Sequence, residues 1–158
     1  MDAVIAFFTS LTFDWLIVAA LMLVLSLDAI RSGSNRVTAL AVSLPLAAAL
    51  FSALSGTLII GAFVTAASPL IQAAIALGLL VILFILTYRI LDSYGEPSFF
   101  LGILAGIACA IVAVTVWVGF DAVHALWKFG PSVTAVFGDA YALLWILGAF
   151  AVLAFARR

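Results

Sequence analysis

Apolar residues fill five long stretches of this chain, at 13–27, 37–64, 71–86, 99–120 and 135–156, and charge collects in the short pieces between them. A helix rising 1.5 Å per residue crosses a hydrocarbon core of about 30 Å with roughly 20 such residues. The pattern therefore predicts an all-α, polytopic bundle of five membrane-spanning helices, at about 13–30, 37–64, 70–90, 98–120 and 133–156, forming one domain over residues 1–158. The second stretch is too long for a straight crossing, because a helix over 37–64 would extend about 42 Å. It must tilt, project or break, and Pro45 and the pair Ser55–Gly56 are where a break is easiest.

Turn chemistry separates the spans. Asp92-Ser93-Tyr94-Gly95-Glu96-Pro97 is the clearest loop, punctuated by Gly and Pro, and Ala66-Ala67-Ser68-Pro69 makes a shorter one. Residues 121–132 hold a short interfacial turn ending at Gly130-Pro131. Residues 3–8 are too few to span and are expected to lie along the outer surface.

Composition agrees with lipid as the solvent. The chain is 68% hydrophobic and 8% charged, whereas soluble domains carry about 25% charged residues. A net charge of −1 with no basic tract excludes nucleic acid as a partner. The lone cysteine, Cys109, can form no intrachain disulfide and reads as a small core hydrophobe. The first residues lack a positive n-region and a small-residue cleavage site, so no cleaved signal peptide is expected.

Loop charge orients the spans. With Met1 outside, Arg31, Arg36, Arg89, Arg157 and Arg158 fall on the cytoplasmic side and Lys128 outside, as the positive-inside rule requires. The N-terminus is therefore placed out and the C-terminus in. Phe7, Phe8, Phe13, Trp15, Trp117, Phe120, Trp127 and Phe129 then gather at the outer interface, and Tyr88, Tyr94, Phe99 and Phe100 at the inner one.

Candidate chemistry is sparse. Asp28 is either an intramembrane acid or an interfacial partner of Arg31, three residues on and on the same helical face, with Arg36 at the same cytoplasmic edge. Asp139, placed one to two turns into the fifth span, is either an outer-interface residue or a polar contact within the bundle. Asp14 reads as interfacial. Asp121, His124 and Lys128 would share one face of a helix, as solvated surface or as a pH-sensitive pair of Asp121 with His124. One His with one nearby carboxylate cannot build a metal site, and no catalytic, phosphate-binding or zinc motif is present. No cofactor and no catalytic residue is expected.

Packing signals are stronger. Gly102, Gly106 and Ala110 form a small-residue ridge on the fourth span, and Ala48, Ser52 and Gly56 form another on the second. The two ridges either pack against each other within one chain or build a homo-oligomer.

Several segments resemble one family. Phe13-Asp14-Trp15-Leu16-Ile17-Val18, then Arg31-Ser32-Gly33-Ser34-Asn35-Arg36 leading into Ala39-Leu40-Ala41-Val42-Ser43-Leu44, resemble the N-terminal hairpin of the colicin V production (CvpA) family. Ile82-Leu83-Phe84-Ile85-Leu86, the 92–97 loop and Leu101-Gly102-Ile103-Leu104-Ala105-Gly106 resemble its later hairpin, so the resemblance covers about residues 13–120. It implies a bacterial inner-membrane protein tied to secretion, transport or envelope homeostasis, without a catalytic role. A membrane scaffold working through helix packing, as a homo-oligomer or in a larger complex, fits both readings. The rivals are a small channel or proton/solute transporter using Asp28 and Asp139, with Ser52, Thr57, Thr65, Gln72, Thr87 and Thr115 as further polar candidates, and a holin-like pore former. Five spans predict that cysteines placed at Gly95 and at Ser132 react with impermeant maleimide from opposite sides of the membrane. Labelling from the same side would refute the five-span topology.

Overall fold

The computed structural model describes residues 13–57, 60–91 and 99–156. Its helices are α1 (Phe13–Ser32), α2 (Ser34–Ser55), α3 (Ile60–Ala66), α4 (Pro69–Ile90), α5 (Phe99–Val118), α6 (Pro131–Phe137) and α7 (Asp139–Ala156), with a 3-10 turn at Asp121–Val123. Five of them, α1, α2, α4, α5 and α7, are long and apolar enough to cross a membrane. The surface segment at 3–8, Tyr94 with its loop, and Arg157 and Arg158 lie outside the described residues.

Local chemistry sets the ends. Gly33 separates α1 from α2 at φ +90°, a conformation that side chains rarely adopt, and its N–H donates to the Ala29 carbonyl at 3.1 Å. Pro69 and Pro131 sit in the first turns of α4 and α6, where a missing N–H costs nothing.

The long second stretch breaks. Pro45 stays inside α2, and the helix instead ends at Ser55, with the Gly56 N–H donating back to the Ser52 and Ala53 carbonyls. Thr57 bridges the gap: its hydroxyl donates to the Leu54 carbonyl at 2.7 Å and accepts the Gly61 N–H at 3.1 Å. Residues 37–64 therefore form a crossing helix followed by the short α3, not one span. The fifth stretch is divided as well. Gly138 is extended between α6 and α7, so 133–156 is a short helix and then a crossing one, and Asp139 opens α7 rather than lying inside it.

The bundle is built around α5, against which α1, α2 and α7 all pack, while α4 packs on the far side of α2. The main core joins Leu25 and Ala29 of α1, Val37 and Ala41 of α2, Ala105, Ala108, Cys109 and Val112 of α5, and Ala149 and Leu153 of α7. Phe51, Val64, Ala76 and Ala122 form a smaller cluster between α2, α3, α4 and the 3-10 turn. Pairs such as Gly102 beside Ile30 and Val18 beside Val114 show that α1 and α5 run antiparallel.

Rings mark both ends. Phe13 lies against Trp127 at 5.8 Å between centroids, Trp15 against Phe137 at 6.2 Å, Phe137 against Trp145 at 5.4 Å and Phe51 against Phe120 at 5.3 Å, all where α1 begins. Phe84 stacks on Tyr88 toward the opposite end. Such girdles suit the two faces of a bilayer. Phe137 and Trp145 join the one where α1 begins because the break at Gly138 turns α6 back onto α7.

The tightest helix crossing is at Gly106, where an added Cβ would collide with the Ser26 backbone, whereas at Gly102 it would meet the Ile30 side chain at 3.1 Å. Gly106→Ala is expected to cost about 1–3 kcal/mol by overpacking and Gly102→Ala less, because a side chain can shift and a backbone cannot. Thermal unfolding of the two variants in detergent checks the order. Equal melting temperatures would count against this crossing.

Candidate functional site

The hairpin between α1 and α2 gathers the polar groups of one end. Arg36 pairs with Asp28 at 3.4 Å, and the Ser32 hydroxyl donates to the same carboxylate oxygen at 3.1 Å. Arg31, the partner expected from helical spacing, is exposed and makes no ion pair with a described residue. The reason is geometric: the reversal at Gly33 brings the first turn of α2 over the last turn of α1. Both members of the pair are partly solvated, so it contributes at most about 1 kcal/mol. Arg89 lies at the same end, because α4 runs antiparallel to α2.

The small-residue ridges do not meet. Gly102 and Gly106 face Ile30 and Ser26 of α1, where the Ser26 hydroxyl also donates to the Ile103 carbonyl at 3.3 Å, and Ala110 is fully buried. On α2, Ser52 and Gly56 are exposed and Ala48 is half-buried. Since α2 and α5 run parallel, Gly102 and Gly106 lie in the first half of α5 and Ala48–Gly56 at the far end of α2. The face that α2 buries is instead Val37, Ala41, Ala47 and Phe51.

At the α6 end, an Asp14 oxygen accepts the Gly130 N–H at 2.7 Å, tying the start of α1 to the start of α6. The Trp117 indole donates to the Trp127 carbonyl at 2.8 Å, and the Trp145 indole to the Val136 carbonyl at 2.7 Å. His124 Nδ1 lies 3.1 Å from the Asp121 carboxylate, which is fully solvated. Asp139 is exposed at the mouth of α7, beside Gly119, so it is a surface residue and not a contact inside the bundle. Nothing in the sequence pairs Asp14 with Gly130. Their sequence signals, an Asp opening a span and a Gly-Pro pair, point to interfaces and not to each other.

Several of the other polar side chains are bound to nearby carbonyls. Thr38 donates to Ser34, Ser43 to Leu40, Ser55 to Phe51, Thr65 to Gly61 and Thr115 to Ile111, while the Gln72 amide donates to Ala67. Buried Thr115 lies in α5, Thr57 and Thr65 in the segment around α3, and exposed Ser52 on the outside of α2. Gln72 and Thr87 lie near opposite ends of α4, so the polar candidates are spread over four segments of the bundle. Among the described residues no group of three His, Cys, Asp or Glu could hold a metal ion.

A lateral groove of about 660 Å³ lies between α5, α6 and α7, lined by Leu104, Ile107, Ala108, Ile111, Ala135, Val136, Tyr141, Leu144, Trp145, Gly148, Ala149 and Val152. The lining is almost wholly hydrocarbon and aromatic ring, suited to an apolar occupant and not to an ion.

These features define a class: an all-α, multi-pass membrane protein whose charged groups, among the described residues, lie at the two ends of its spans. No protein family, curated protein or solved structure matches the chain. Asp14→Ala should lower stability by about 1–3 kcal/mol, because it leaves the part-buried Gly130 N–H without its acceptor. Arg31→Ala should leave stability within about 0.5 kcal/mol. Melting temperatures in one detergent, compared with the parent protein, check both.

Proposed function

We propose that this chain is a non-enzymatic, CvpA-like protein of a bacterial cytoplasmic membrane, a transport- or secretion-associated component or scaffold that acts through helix packing. It works as a homo-oligomer or within a larger membrane complex, and it needs no cofactor. The observation that supports this reading is the disposition of polarity. Within the spans Thr38, Ser43, Ser55 and Thr115 donate to carbonyls of their own helices, and the carboxylates Asp28 and Asp139 stand at opposite ends of the bundle. A solute path needs polar groups converging at membrane depth, and helix association in lipid needs close-fitting surfaces. The second requirement is the one met here, by Gly106 against Ser26.

Proton flux into liposomes separates this reading from a transporter. Vesicles holding the purified protein should leak protons no faster than empty ones, and Asp28→Asn and Asp139→Asn should change nothing. Flux above background that falls in either variant would overturn the scaffold reading.

A further inference from the structure

The groove between α5 and α7 has a shape that discriminates among occupants. From Tyr141 to Val152 it follows α7 for about 16 Å at 1.5 Å per residue, close to half of a hydrocarbon core of about 30 Å. Small residues shape its wall, buried Ala108 and Ala149 with exposed Gly148, and outside the Gly148 helix backbone nothing lies within 4 Å of where a Gly148 Cβ would stand. Its outer end is closed. α6 packs on both α5 and α7, and the Trp145 indole pins it there through the Val136 carbonyl.

That closure decides the occupant. A spanning helix, from a partner or from a second copy, needs an unobstructed wall of about 30 Å, and at this groove α6 packs against both walls at one end. A flexible hydrocarbon chain needs only one leaflet of depth. We propose that the groove seats a single acyl chain of a phospholipid drawn from the leaflet on the α6 side, entering laterally beneath Tyr141 and Trp145. Both rings lie in the first two turns of α7 and are amphipathic, the kind of side chain that favours the level where a glycerol backbone meets its chains. The site is distinct from the packing role proposed above and survives its failure, because the groove is formed within one chain.

The test uses the full chain in vesicles of phosphatidylethanolamine and phosphatidylglycerol doped with phosphatidylcholine carrying a mid-chain diazirine. After irradiation, label should concentrate on the α5 and α7 peptides that line the groove, above the equally lipid-exposed face of α4. Gly148→Leu fills the open space and should reduce that labelling by about two-fold or more, since packing and not transfer from water sets affinity within lipid. Gly78→Leu, a change at an equally open glycine of α4, should not reduce it. If Gly148→Leu fails to fold, Ala135→Leu narrows the same groove from α6. Label spread evenly over exposed helices, or unchanged in a folded groove-filling variant, would overturn the proposal. So would crosslinks between two copies through these residues.

Discussion

The contact on which the bundle depends is the close approach of α1 and α5 at Gly106. Lipid tails are as apolar as leucine, so no hydrophobic force drives helices together within a bilayer, and association rests on how well surfaces fit. At Gly106 the absence of a side chain lets two backbones meet, with the Ser26 hydroxyl hydrogen-bonded across the seam. The neighbouring buried positions on α5 are also small, Ala105, Ala108, Cys109 and Ala110. A helix made so slim on several sides can be surrounded, and α2 and α7 pack on it as α1 does. Many bulky residues, such as Leu16, Leu23, Leu143 and Leu144, face outward. This inverts the arrangement of a soluble core, where large residues fill the middle.

The second constraint is that polar backbone groups must be satisfied within the chain wherever water is absent. It explains why the long stretches break where they do. At Gly56 and Gly138 the freed N–H groups bond back into the preceding turn, and at the first break the Thr57 hydroxyl serves both flanking helices. The short helices α3 and α6 are what remain after such breaks, laid against the ends of the bundle. α6 then acquires the ties to Asp14 and Trp145 that hold it at one end of the lateral groove.

Much of this was legible beforehand. Five crossing helices, an all-α class, charges at the ends and aromatic rings at both faces follow from the apolar pattern, because lipid imposes the same demand on every segment separately. Partnerships were less legible. Asp28 and Arg31 have the spacing of a helical pair, yet the hairpin brings Arg36 to the carboxylate instead. The ridges on α2 and α5 look complementary as strings, yet their parallel helices hold them at different depths.

The amino-acid sequence by itself determined the solvent, the number of crossing segments and the local positions at which they could end, since each is a property of a contiguous stretch. Only the tertiary structure decided which glycine meets which backbone, that α5 and not a terminal helix is the axis, and that α6 folds over to close a groove. Those outcomes depend on the relative direction and rotation of helices distant in the chain. Direction and rotation are set by the fit of whole surfaces, and periodicity within one segment carries no record of the surface it will meet.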